Sequence, residues 1–216
     1  MAVNKTEIVL IVDRSGSMHS MRDDAEGGLK AFLEDQRDAP GEARLTLVLF
    51  DDRYEVVHDG ADLAGLPTDV RLEPRGATAL FDAVGRTIDR VGEQLAATPE
   101  PERPGAVLVC VVTDGQENAS SDYTAGRVRE MVTHQERKYG WQFTFLGAGP
   151  EVFAQGAGMG FDPSAGAAFE DAGAALRAAS GKAKRVRAAF AAGAAPAAAA
   201  AANRFTDAER RAMARK

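Results

Sequence analysis

Apolar and polar positions follow two rhythms along this chain. Glu7–Val12 is a near-continuous β-branched run, the pattern of a strand buried on both faces. Between Ser20 and Asp38, Met21, Ala25, Leu29, Phe32 and Leu33 recur at spacings of three and four. That spacing predicts an amphipathic helix, closed by Pro40-Gly41. Arg44–Phe50 and Tyr54–His58 read as strands separated only by Asp51-Asp52-Arg53. The link is too short for a crossover, so the two form an antiparallel hairpin. Helical spacing returns over Ala79–Leu95 through Leu80, Val84, Ile88, Val91 and Leu95. A buried strand follows at Ala106–Val112, then a helix over Thr124–Lys138 and a strand over Trp141–Leu146. Beyond a glycine-rich stretch the signal weakens to a short helix near Val152–Gln155, a strand near Ala167–Phe169 and a helix around Ala172–Phe190.

This order predicts an α/β fold: a mostly parallel sheet with one antiparallel edge strand and helices on both faces. Ligands of such sheets sit beyond the carboxyl ends of the strands, where strand order reverses. The residues after Val12 and after Val112 are therefore the ones to inspect, and each place holds an aspartate.

Charge changes the picture at the C-terminal end. The 216 residues carry a net charge of −6, unevenly spread. Residues 1–171 hold 16 Lys and Arg against 30 Asp and Glu, and residues 172–216 hold 10 against 2. An acidic body repels nucleic acid, so only the basic tail, with Lys182, Lys184, Arg185 and Arg187 clustered, could hold a polyanion weakly. Residues 1–190 are expected to form the domain. From Ala191 the run AAGAAPAAAAAAN reads as a flexible, alanine-rich basic tail over 191–216, dispensable for the fold. Thr206 with Glu209 three residues on predicts a short helix over Thr206–Lys216. The first apolar run is too short for a secretory signal, and no stretch reaches the roughly 20 apolar residues of a membrane span. The expected location is the cytoplasm. A single cysteine, Cys110, excludes an internal disulfide and a cysteine-rich metal site, and reads as core packing. His19, His58 and His134 share no ligand spacing and read as solvated.

The candidate chemistry lies at the strand ends. Asp13, Ser15 and Ser17 alternate just beyond the first strand, so an extended segment would aim all three at one point. Asp114 follows the strand ending in Val112-Thr113. Thr78, in Gly76-Ala77-Thr78-Ala79-Leu80, offers a hydroxyl at a helix start. Two carboxylates and three hydroxyls make an all-oxygen set, which suits a hard divalent cation such as Mg²⁺. The plainer alternative is a turn in which Ser17 caps the next helix. Asp23-Asp24 and Asp51-Asp52 are expected to be solvated surface. Glu117 and Asn118 either rim the site or cap a helix.

These residues carry a resemblance. IVLIVDRSGSM resembles the D-x-S-x-S signature of von Willebrand factor type A domains; Thr78 and Asp114 are similar to that family's second-loop threonine and third-loop aspartate. The likeness spans residues 5–160 and matches small bacterial cytoplasmic members. It implies a Rossmann-like, doubly wound fold and a complete metal-ion-dependent adhesion site for Mg²⁺ or Mn²⁺ at Asp13, Ser15, Ser17, Thr78 and Asp114. It also implies binding to a protein partner that supplies an Asp or Glu, in some members beside an AAA+ ATPase or in stress-response and phage-linked systems. Two other classes stay in view: a Mg²⁺-dependent, phosphatase-like hydrolase and a metal-free scaffold. The hydrolase pattern needs a second carboxylate two residues after the first aspartate, where this chain has Ser15. The expectation is a binding module and no enzyme.

Overall fold

A computed structural model of the chain describes residues 2–214. Its strands are β1 (Ala2–Asp13), β2 (Glu42–Phe50), β3 (Tyr54–Asp62), β4 (Pro104–Thr113), β5 (Gln142–Ala148) and β6 (Ala167–Phe169). They form one sheet in the order β3-β2-β1-β4-β5-β6. Neighbours run parallel except β2 and β3, which pair antiparallel. The helices are α1 (Arg22–Asp38), α2 (Leu80–Ala97), α3 (Ala125–Tyr139), α4 (Gly149–Gly158), α5 (Ala172–Ala191), α6 (Pro196–Ala202) and α7 (Asp207–Met213). The architecture is the expected doubly wound, mostly parallel sheet with one antiparallel edge strand.

The continuous apolar run of β1 has a direct cause. Successive strand residues face opposite sides of a sheet, and both sides here are covered. Ile8, Leu10 and Val12 meet Leu29 and Phe32 of α1 and Leu176 of α5. Val9 and Ile11 meet Val84 and Ile88 of α2 and Val128 of α3. The chain thus leaves β1 over one face and reaches β4 from the other. That divergence opens a crevice above the carboxyl ends of β1 and β4.

Helix α5 lies against α1 so closely that a Cβ at Gly28 would stand 2.9 Å from the Gly173 Cα. Gln36 Nε2 donates to Ser180 O and Oγ, and Lys184 Nζ donates to Asp35. Arg187 donates to the carbonyls of Gln36, Pro40 and Gly41. Lys182 is buried, and Arg185 pairs with Glu209. Each of the four clustered cations therefore has a partner within the molecule.

The flexible tail is a correction. Residues 196–202 and 207–213 are helical, and Ala199, Asn203, Phe205 and Met213 are buried. Asn203 Nδ2 donates to Phe143 O, and the Glu170 N–H donates to Met213 O. Low complexity hid the two large apolar residues that dock this segment. Thr206 and Glu209 form a capping box at the start of α7. The end of the expected terminal helix, Arg215 and Lys216, lies outside the described residues.

Candidate metal centre

Asp13 closes β1 next to Thr113 at the end of β4. Its carboxylate is fully buried. Oδ1 accepts the Ser15 N–H at 2.6 Å, and Oδ2 accepts the Thr113 hydroxyl at 2.5 Å. Both oxygens are thus engaged by donors that fix the carboxylate's direction. Burial pushes the Asp13 pKa up to about 6, against the pull of those donors. Asp114, just beyond β4, is half-buried, and burial raises its pKa while the Ser17 hydroxyl bond opposes the shift.

The serines do not serve as helix caps. Ser15 precedes the 3₁₀ turn Gly16–Met21 without a side-chain cap bond, and α1 starts after Met21, also without one. Instead, Ser15 Oγ lies 3.1 Å from Ser17 Oγ, which donates to Asp114 Oδ1 at 2.7 Å. Thr78 is held from both sides of its peptide by Asn118. Its N–H donates to Asn118 Oδ1 at 2.9 Å, and its carbonyl accepts the Asn118 N–H at 3.0 Å. The free amides at the start of α2 are taken across the crevice, Phe81 N–H by Glu117 and Asp82 N–H by Ser120. The Thr78 hydroxyl is therefore not spent on capping.

Gly115 shows where the hydroxyls meet. A Cβ there would lie 2.7 Å from Thr78 Oγ1, 3.4 Å from Ser17 Oγ and 3.5 Å from Ser15 Oγ. The three sequence-predicted hydroxyls and Asp114 thus surround one small cradle, with Asp13 behind Ser15. The oxygen spacings suit a small divalent ion. Octahedral oxygens about 2.1 Å from Mg²⁺ stand about 3 Å apart along an edge. The Ser15–Ser17 and Ser17–Asp114 separations of 3.1 and 2.7 Å bracket that value. Among the described residues no group of three His, Cys, Asp or Glu gathers to hold a metal, so hydroxyls must complete any such site. His19 and His134 are exposed and His58 is half-buried. Cys110 is buried in the core, and burial pushes its thiol up to about 12.

Several supporting residues were not legible in the sequence. Asp51, expected on the surface, is fully buried, while Asp23, Asp24 and Asp52 are exposed. Burial would raise the Asp51 pKa, but the Arg75 bond, the Arg53 N–H and the Arg14 charge outweigh it and hold the group below its ordinary value. Glu117 resolves as a brace: it also accepts the Ala119 and Ser120 N–H groups. Asp82 accepts the N–H groups of Ser121, Asp122 and Tyr123, shaping the loop after the site. Thr113 carried the one usable signal, a hydroxyl at a strand end beside a candidate ligand.

No protein-family model matches the chain, and no curated protein is similar to it in sequence. Solved structures are. Proximal thread matrix protein 1 from the mussel byssus is 17% identical over 86% of this chain and 46% of that one, with a TM-score of 0.61. A von Willebrand factor type A protein from Catenulispora acidiphila is 15% identical over 92% and 43%, with a TM-score of 0.53. The ArnB paralog VWA2 from Sulfolobus acidocaldarius is 15% identical over 84% and 45%, with a TM-score of 0.54. The chain has a von Willebrand factor type A fold. It spans less than half the length of each of these structures. One form of the mussel protein carries a zinc-occupied MIDAS motif. No helix among the described residues is long and apolar enough to cross a membrane.

Proposed function

We propose that this chain is a non-catalytic module that takes a protein partner through a divalent cation, Mg²⁺ or Mn²⁺. Asp13, Ser15, Ser17, Thr78 and Asp114 would hold the ion. The observation that carries this reading is the convergence of three hydroxyls on the Gly115 position. The zinc-occupied motif of the mussel protein, a structure of the same fold, supports a metal of this charge in such a crevice. When bound, the ion supplies positive charge that a partner's Asp or Glu can complete. Neutral hydroxyls leave most of that charge unquenched. Both Asp13 oxygens already accept protein donors, which supports a water-mediated role for this carboxylate. The reading is non-catalytic because Ser15 stands where a phosphatase-like mechanism needs an acid. An AAA+ ATPase is the partner class that the resemblance alone implies.

Calorimetric titration of the full chain with MgCl₂ and MnCl₂ tests the first step. Saturable binding is expected for the wild type, lost in Asp13→Ala and retained in Cys110→Ser. A wild type that binds neither ion overturns the reading. The second step is tested by capturing partners on the immobilised chain with Mn²⁺ and with EDTA. A partner retained equally in both would leave a metal-free scaffold.

A further inference from the structure

An ionic cluster lies between the first two site loops. Asp51, one residue beyond β2, has its carboxylate fully buried. Its Oδ2 accepts Arg14 Nε at 3.0 Å and Arg75 Nε at 2.8 Å, and its Oδ1 accepts the Arg53 N–H at 2.6 Å. The Asp51 carbonyl accepts the Ala79 N–H at 2.9 Å. These partners are not scattered. Arg14 lies between Asp13 and Ser15, Arg75 begins the loop that carries Thr78, and Ala79 follows Thr78. Asp51 therefore grips the first and second site loops at once. The backbone repeats the junction, since the Arg75 N–H donates to Arg14 O at 2.9 Å and the Gly16 N–H donates to Gly76 O at 3.2 Å. The left-handed φ of +65° at Gly76 makes that approach available.

Stability alone explains this cluster poorly. Arg14 is 5% exposed, and its Nη2 is buried with no partner among the described residues. A buried guanidinium with an orphan donor is costly, and apolar packing would serve a core better. Such costs are retained where a site must be held in register.

We propose that Asp51 is the positioning residue of the cation site: through Arg14 and Arg75 it fixes the spacing between the Ser15 and Ser17 hydroxyls and Thr78. The role is indirect, since Asp51 supplies no oxygen to the cradle. This inference rests on the cation reading above. Groups that orient metal ligands typically change metal affinity about 10- to 100-fold when removed.

The test is Mn²⁺ binding to the full chain, followed by calorimetry and by the EPR line shape of the bound ion. Asp51→Asn should weaken Mn²⁺ about 10- to 100-fold and broaden the signal. A core variant, Val186→Ala, should lower the melting temperature yet bind Mn²⁺ as the wild type does. Arg75→Gln removes one bond from a side chain that is 41% exposed, so it should fold even if Asp51→Asn does not. It should also weaken Mn²⁺, and Arg75→Lys, which keeps the charge, should recover part of the loss. Once Asp51 is Asn, adding Arg75→Gln should cost little more. Folded Asp51→Asn or Arg75→Gln proteins that bind Mn²⁺ within twofold of wild type overturn the proposal and leave the cation site standing. A wild type that binds no Mn²⁺ overturns both.

Discussion

At the scale of single residues, the site depends on a side chain that is absent. Gly115 has no Cβ, and the space it leaves is bounded by the hydroxyls of Thr78, Ser17 and Ser15. Its backbone angle lies outside the left-handed region, so alanine can adopt it without strain. Gly115→Ala should therefore leave the metal-free melting curve within a few degrees of wild type. The same methyl, 2.7 Å from Thr78 Oγ1, should displace that hydroxyl and lower Mn²⁺ affinity at least about tenfold. Calorimetry beside a thermal melt separates the two effects. A variant that binds Mn²⁺ normally would show that the cradle is not where the ion sits. The five oxygen-bearing residues of the candidate site could be picked out in the sequence because a strand end aims alternate side chains one way, and because oxygen-bearing side chains suited to a hard cation are chemically recognisable. Gly115 and Asp51 were not, and Asn118 was legible only as a residue that rims the site or caps a helix, since their roles exist only where two distant loops meet.

At the scale of elements, strands and helices with a clear period were readable, while charged positions inside them were not. Lys182 looked like one of four surface cations on α5, yet it is 2% exposed. Its Nζ donates to Thr144 Oγ1 and Ala165 O, each at 2.6 Å, and stands 4.1 Å from the centre of the Phe205 ring. Helical periodicity cannot announce that a lysine points inward, because long cationic side chains fit either environment. Burial lowers the Lys182 pKa to about 7. The native state therefore loses this proton at lower pH than the unfolded chain, whose lysine holds it to about 10.4. Below about 7 both states are protonated and the full cost of burying the cation is present. As pH rises from about 7 towards 10, the unfolded chain holds more protons, and native stability should rise. The slope has a ceiling of about 1.4 kcal/mol per pH unit for one proton. Lys182→Met should lack this gain, so the denaturant midpoint of the wild type should rise relative to that of the variant across that window. Parallel pH profiles would show that Lys182 keeps an ordinary affinity for its proton.

At the scale of the whole molecule, the charge split in the sequence suggested two parts, an acidic body and a basic tail, and the fold joins them. Alanine-rich composition favours no particular partner, so the docking of residues 192–214 was invisible in the pattern. It rests on a few larger side chains. Phe205 and Met213 enter the core shared by α1, α5 and β6, and Asn203 reaches the β5 carbonyl of Phe143. Arg185 closes the arrangement from outside by pairing with Glu209. Burying a large apolar side chain contributes about 1.5–3 kcal/mol, so Phe205 and Met213 together supply about 3–6 kcal/mol. In a domain of this size, 1 kcal/mol moves the melting temperature by about 2–4 °C. Removing residues 192–216 should therefore lower it by on the order of 10 °C. It should also expose Lys182, whose ring contact with Phe205 would be gone. None of the bonds that hold Asp13, Ser15, Ser17, Thr78 or Asp114 reaches that segment. Cation affinity, measured below the lowered transition, should accordingly match the full chain. A truncated protein with an unchanged melting curve would return the segment to the status of a loose tail. One that melts lower and also loses Mn²⁺ would place α6 and α7 in communication with the strand ends.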